Sequence, residues 1–592
     1  MQHVRQESPD NAAWYRIMNQ RMDEEDYGEG FIAESHPLRP THLNIPNRDS
    51  RAPSISSSVT DMDVPIYTRD TTIPLSAKKR KMDSEKSRDG NQEQPSTPTA
   101  LAPSDKRIHA DKDAGFNPHL AFAIGAAALG SSFQHGFNTG VVSTPETVIG
   151  EWISAVKGNR SGEVIDPEVM KGEVTITWAI TVAIFCVGGM IGGALVGWAA
   201  DRFGRKGSLL LNNIFVVAAV FFEALAKPMN SFELIILGRF IIGINAGLNA
   251  GLAPMYLAEI SPMHLRGAVG TVYQLVITIS ILVAQILGKF MSTPELWPWL
   301  FCLTIIPAII QVITLPFCPE SPKFLLLSRG KDMDAQRSLT WLRGTIEVHD
   351  EMEEMRAEYE SIKLVPQVTL TELIMNSSLR IPLFISVMIM LAQQLSGINA
   401  IMFYSTKIFK MAQLSESQAG NATIGVGVVN VLMTFVSMIL VEKAGRKTLL
   451  LIGFFGMVID TGLLGVCLLF TGDDEGKGGH PAASIMAVLL VFVFIVLFAT
   501  GPGSIPWFLV SELFNQSARP TATSVAIAIN WSANFLVGIM FPPLVGVIKS
   551  NVFFIFAGLQ AFFTLFIFYK VPETRNKSIE EISSMFRQQS YQ

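Results

Sequence analysis

Three amides crowd into Gln393-Gln394-Leu395-Ser396-Gly397-Ile398-Asn399. They lie inside the apolar run from Ile381 to Tyr404, which is long enough to cross a bilayer as a helix. An amide at that depth is costly unless it finds a hydrogen-bond partner. On a helix turning ~100° per residue, Gln394 lies ~100° round from Gln393 and Asn399 ~240° round, so no single stripe holds all three. Either the helix is buried on every side, or it unwinds at Gly397 and re-aims Asn399. Both options put a polar cluster inside a helix bundle near the membrane midplane. Amides donate and accept, as hydroxyls do, so the chemistry suits a carrier of a neutral, hydroxyl-rich solute.

The elements that must hold this cluster are apolar spans at 118–142, 174–200, 208–227, 231–256, 266–289, 296–317, 380–404, 421–441, 448–470, 484–509, 521–545 and 551–571. Twelve spans predict an all-α polytopic membrane protein. Between the sixth and seventh lies a polar segment, 318–379, where Asp332–Leu342 and His349–Ile362 read as short charged amphipathic helices. The expected organisation is a tail at 1–115, a six-helix half at 116–317, the linker at 318–379, a second half at 380–571 and a tail at 572–592. The first tail is rich in Ser, Thr, Pro, Asp, Arg and Lys, without apolar periodicity, and is expected to be disordered. It has no signal-peptide core, so the first span should direct insertion. Its run Lys78-Lys79-Arg80-Lys81 reads as solvated charge rather than a targeting signal or a lipid patch, and the tail is the segment that would meet cytosolic partners.

The net charge of −5 excludes little, since the charges sit in tails and loops. No nucleic-acid site, metal spacing, cofactor motif or catalytic constellation is read, and the expectation is not an enzyme. Cys186, Cys302, Cys318 and Cys467 read as packing residues. Loops after the second and eighth spans carry Arg202, Arg205 and Lys206, and Lys443, Arg446 and Lys447, and the linker adds more basic residues. The opposite loops, such as Gly472–Lys477, are poorer in them, which places both termini in the cytosol. Asn159-Arg160-Ser161 is then a glycosylation sequon in the first external loop.

The charged loops repeat. Asp-Arg-Phe-Gly-Arg-Lys at 201–206 answers Glu-Lys-Ala-Gly-Arg-Lys at 442–447. Glu259 and Arg266 answer Glu512 and Arg519, and Pro319-Glu320-Ser321 answers Pro572-Glu573-Thr574. Two six-helix halves in parallel repeat follow. Arg205, Glu259, Arg266, Glu320, Glu442, Arg446, Glu512, Arg519 and Glu573 are expected to form a cytosolic charge latch that pairs across the halves when that mouth is closed. The alternative is that they only set topology.

With Gly-Arg-Phe-Ile-Ile-Gly at 238–243, Pro-Glu-Ser-Pro-Lys-Phe-Leu at 319–325, Gln-Gln-Leu-Ser-Gly-Ile-Asn at 393–399, Gly-Pro-Gly-Ser-Ile-Pro-Trp-Phe at 501–508 and Pro-Glu-Thr at 572–574, the chain resembles the facilitative sugar transporters of the major facilitator superfamily. The resemblance runs from about residue 118 to 586. It implies sugar binding by Gln274, Gln393, Gln394, Asn399, Asn430 and Asn530, with Phe498 and Trp507 stacking on the ring. It also implies an outer gate at Phe403 and Tyr404. Gly501, Pro502, Gly503 and Pro506 read as a hinge, because Pro removes a helical hydrogen bond and Gly eases bending.

Proton-coupled relatives carry an aspartate where this chain has Asn138, opposite Arg239. Asn138 cannot titrate, so the expectation is facilitative uniport of a hexose at the plasma membrane, D-glucose first. Met390 and Ala499 resemble fructose carriers and Trp507 glucose carriers, which leaves fructose or mixed hexose as an alternative. A proton-coupled sugar or polyol symporter and a transporter-like sugar sensor are the others. His135 stands where the family usually has an aromatic residue, and an intramembrane histidine is a functional candidate.

Overall fold

The computed structural model describes residues 117–162, 166–363, 368–471, 481–515, 517–575, 577 and 579–590. The tail at 1–115 with its basic run, the loop at 472–477 and the side chain of Glu442 lie outside the described residues. Among those described, ten stretches are long and apolar enough to cross a membrane. One of them, Arg519–Lys570, contains two helices. Dividing it, and adding a first span broken by a π turn, gives twelve crossings in an all-α polytopic membrane fold.

The first span is α1 (Pro118–Ala127), a π turn (Ala128–Ser132) and α2 (Phe133–Gly140). Asn117 caps α1 through the Leu120 amide, and Pro118 occupies the first turn, where no amide hydrogen is needed. The π turn replaces the plain helix expected at 118–142. Gln311 from the sixth span packs on Gly130 and donates to Ser131 Oγ (2.7 Å), filling the space the bulge opens.

The loop that follows is not irregular. It forms α3 (Glu146–Ser161), whose Ile149, Ile153 and Val156 are buried at helical spacing. Next come α4 (Pro167–Phe203), α5 (Arg205–Ala226), α6 (Phe232–Ile260) and α7 (Arg266–Met291). The sixth span is α8 (Trp297–Cys302) and α9 (Ile305–Thr314). The linker forms α10 (Asp332–Arg343), α11 (His349–Lys363) and α12 (Leu370–Met375). The first two lie where the charge pattern predicts helices.

The seventh span is α13 (Ser377–Leu395) and α14 (Ile398–Met411), the eighth α15 (Glu416–Ala444) and the ninth α16 (Arg446–Phe470). The tenth is α17 (Pro481–Thr500) and α18 (Ile505–Leu513). The chain continues with α19 (Arg519–Ile548), α20 (Val552–Lys570) and a short α21 (Ile579–Ser590) within the expected tail. The halves meet along two seams, α4 against α19 and α7 against α15.

Candidate functional site

The second half places its polar cluster on two broken helices. Gly397 adopts φ +94°, in the left-handed region where a side chain is strained, and ends α13 there. The amide of Gln560 on α20 props the break by donating to Ser396 O (2.7 Å). In the tenth span, residues 501–504 leave the helix between α17 and α18. Gly501 sits so close to α16 that a Cβ there would lie 2.4 Å from Leu449 O. Pro506, expected as part of the kink, instead occupies the first turn of α18, where proline fits a straight helix. The break therefore belongs to 501–504.

Across these two breaks lies one amide network. Gln393 Nε2 donates to the carbonyls of Pro502 (3.0 Å) and Gly503 (2.7 Å), two acceptors the broken tenth span presents. Asn530 Nδ2 on α19 donates to Gln393 Oε1 (2.8 Å), and Gln394 Nε2 donates to Asn530 Oδ1 (2.9 Å). Asn399 Nδ2 donates to Gln394 Oε1. All four side chains are buried. Unwinding at Gly397 thus resolves the geometric problem of the sequence, because Asn399 is re-aimed onto Gln394. A hydroxyl-rich ligand can replace amide–amide bonds with hydroxyl–amide bonds at little cost, since each group keeps a partner.

The other expected contacts stand differently. No hydrogen bond among the described residues joins Gln274 or Asn430 to the network. Gln274 is exposed on α7 and Asn430 is buried on α15. The Phe498 ring packs beside Gly503, against the helix break, and Trp507 is 41% exposed on α18. Phe403 and Tyr404 are fully buried on α14. Tyr404 Oη donates to Gly538 O (2.8 Å), its ring stacks on Phe541 (5.5 Å), and its φ of −127° kinks the helix. Asn159 is exposed on the last turns of α3.

In this conformation the duplicated charges pair within each half, and the pairing across the halves expected for a closed mouth on the linker side is not formed. In the first half Arg205 Nε donates to Glu259 Oε2 (2.8 Å), and Glu320 Oε1 accepts the Arg205 and Lys206 amides (3.0 Å each). In the second, Arg446 Nη2 donates to Glu512 Oε1 (2.9 Å), and Glu573 accepts the Arg446 (2.9 Å) and Lys447 (3.1 Å) amides. Gly204 (φ +79°) and Gly445 (φ +91°) reverse the chain at once, so each arginine lands over its own half. Arg266 donates to Ala258 O (3.2 Å) and to Met263 Sδ (3.0 Å), and Arg519 donates to Phe514 O (3.3 Å). Polar contacts between the halves gather instead at the end away from the linker, where Lys407 meets Glu146, Lys410 meets Thr147 and Lys289 meets Asn421.

Several buried residues outside the expected set stand out. Trp531, next to Asn530, stacks on His135 across the seam (5.9 Å) and meets Phe185 edge-on (6.0 Å). A Cβ at Gly189 would lie 2.6 Å from its ring, so that glycine makes its seat. Tyr273 Oη lies 3.0 Å from His135 Nδ1, which gives the histidine a partner. Glu223 on α5 is buried with Oε1 unpartnered, and its Cγ would lie 2.5 Å from a Cβ on Gly238, the residue before Arg239. Asp460 on α16 is buried with both oxygens unpartnered among the described residues. A lone acid in an apolar run was the signal available for both.

Arg239 donates to Asn138 O (3.0 Å) and lies 4.6 Å from the Phe185 ring centroid. Asn138 in turn donates to Gln134 O (2.8 Å), while Arg239 Nε and Nη1 are buried with no hydrogen-bond partner among the described residues.

Comparison with known proteins agrees with this architecture. The family model described as "Sugar (and other) transporter" matches residues 123–586. The human "Solute carrier family 2, facilitated glucose transporter member 3" is 46% identical over 476 residues, covering 80% of this chain and 93% of that protein. The Caenorhabditis elegans "Facilitated glucose transporter protein 1" is 43% identical over 471 residues, covering 79% and 90%. Among solved structures, the inward open conformation of the xylose transporter XylE from E. coli aligns with TM-score 0.65 at 25% identity, covering 79% of this chain and 99% of that one.

Proposed function

Because the chain belongs to the sugar transporter family, we propose that it carries a hexose, D-glucose in the first instance, down its gradient across the plasma membrane by alternating access. The observation that carries this is the four-amide network laid over two helix breaks. Its partners are uncharged and can be exchanged for sugar hydroxyls, and the breaks let α14 and α18 move without the rest of their spans. Gln274, Asn430, Phe498 and Trp507 complete the proposed binding set as the bundle closes. The basic loops support a cytosolic linker and cytosolic termini, and the exposed sequon at Asn159 then faces outside. Asn138, held by backbone bonds and unable to titrate, supports uniport.

Two observations favour other readings. Met390 Sδ lies 3.5 Å from Asn530 Nδ2, inside the network, so its side chain bears on glucose against fructose. Glu223 is a buried carboxylate beside Arg239, and a proton carried there would make the protein a symporter.

Uptake of labelled glucose and fructose by proteoliposomes, with and without an imposed proton gradient, separates these readings. Equilibration of glucose without accumulation, indifferent to the gradient, is the expected result. Gradient-driven accumulation that Glu223→Gln abolishes would replace uniport with symport. No uptake of either sugar by folded protein would favour the sensor reading.

A further inference from the structure

Opposite the linker, α3 is strapped to both halves. Its last turns hold the first half, through Arg160 Nη1 to Glu233 Oε1 (2.5 Å), Arg160 Nη2 to Asn230 O (2.9 Å) and Lys157 Nζ to Glu173 Oε2 (3.2 Å). Its first turn meets the second half, where Lys407 Nζ donates to Glu146 Oε1 (3.0 Å) and Lys410 Nζ to Thr147 Oγ1 (2.8 Å). Lys410 is also shared with Glu416 (3.1 Å). The Glu146 and Lys407 side chains are only 21% and 24% exposed, so solvent screens this pair less than a surface pair. A cavity of about 440 Å³ lies against them, lined also by Lys171, Trp178 and Thr406.

Both lysines belong to α14, the half-helix that starts at the strained Gly397, kinks at Tyr404 and carries the buried Phe403. Lys407 lies one turn beyond Tyr404, and Lys410 one turn further. A helix free to pivot at one end and clasped at the other has two positions, and the clasp decides between them.

We propose that Lys407–Glu146 and Lys410–Thr147 form an outer latch through which α3 holds α14 shut, and that breaking it is a step of opening toward the side away from the linker. In this conformation the charged contacts between the halves then sit at the outer mouth, while the duplicated charges on the linker side pair within each half. The inference rests on the alternating-access reading above.

The test uses the full chain with a cysteine at Thr406→Cys, a position buried on α14 beside the cavity, and the unsubstituted chain as control. Modification by a hydrophilic thiol reagent reads how often the outer mouth opens. Glu146→Gln and Lys407→Gln should each speed modification about five-fold. The charge exchange Glu146→Lys with Lys407→Glu should bring the rate back towards the parent. Rates within about two-fold of the parent in both single variants, or an exchange as fast as the single variants, would overturn the latch. A second reporter, Gln274→Cys, exposed on α7, reads the linker side. If the outer rate rises and this one falls, latch and rocking both hold. If the outer rate rises alone, the latch stands and alternating access falls.

Discussion

Each half of the bundle buries a network of amides, and the two networks are built on different backbones. In the first half Gln134 Nε2 donates to Asn213 Oδ1 (2.8 Å) and Asn249 Nδ2 to Gln134 Oε1 (3.1 Å). Asn212 Nδ2 donates to Asn249 Oδ1 (2.8 Å), and Asn213 Nδ2 to Gln311 Oε1 (2.9 Å). These side chains reach between α2, α5, α6 and α9; Gln134 and Gln311 adjoin the π turn of the first span, and the four bonds run from side chain to side chain rather than to carbonyls that a break frees. In the second half the amides straddle Gly397 and 501–504, where the backbone itself offers carbonyls. Intramembrane amides alone therefore do not single out a substrate site. The proposed site is the set whose acceptors are carbonyls freed by a break, because there the partners can separate without disturbing a packed helix pair. The first network joins helices to one another, and the second is the one proposed to exchange with sugar hydroxyls.

The largest effect should fall on the exchangeable network. Asn530→Leu removes partners of both Gln393 and Gln394, and should lower hexose uptake per folded molecule roughly ten- to hundred-fold, from ~1–3 kcal/mol of lost polar contact. Uptake kinetics in proteoliposomes check it.

In the first network Asn249→Ala leaves Gln134 and Asn212 short of a partner. It should cost ~1–3 kcal/mol of stability, seen as a lower midpoint of thermal unfolding in detergent. Uptake per folded molecule should stay within about two-fold. A stable, inactive Asn249→Ala would erase the contrast between the halves.

Gly397→Ala places a side chain at φ +94° and a Cβ 3.2 Å from the Phe556 ring. A strain of ~1–2 kcal/mol is expected, and uptake should fall more than for a serine-to-alanine change elsewhere on α13. The smallest effect belongs to the clamps that brace each half. Arg205→Gln and Arg446→Gln each break one partly exposed pair and should lower stability by ~0.2–1 kcal/mol, in equal measure if the repeat is energetic as well as geometric.

The legible parts of the molecule were those written locally. Long apolar runs give the crossings, because only a helix satisfies its own backbone in lipid. Gln393, Gln394 and Asn399 could not share one stripe, a conflict that burial on every side or a break at Gly397 would each resolve; the structure has the break and also buries all three side chains. The repeat identified which charges correspond but not which ones touch. That depends on the turns at Gly204 and Gly445, which fold each arginine back onto its own half. The π turn in the first span was hidden because it is made by Gln311, 180 residues from Ser131. The first-half network was hidden for the same reason, as each amide looks like a lone polar residue in an apolar span. The three buried residues of α3 are interrupted by charged neighbours, so it read as a loop.

The central claim is that sugar binds where helices break. Its most direct test is the shift of the thermal unfolding midpoint by D-glucose, measured on the purified full chain, Asn249→Ala and Asn530→Leu. A ligand that binds only the folded state raises the midpoint as its concentration exceeds Kd. The account predicts a glucose-dependent rise for the unsubstituted chain and an equal rise, from a lower start, for Asn249→Ala. Asn530→Leu should show none. A full shift in Asn530→Leu, or its loss in Asn249→Ala, would contradict the account by placing the sugar in the first half.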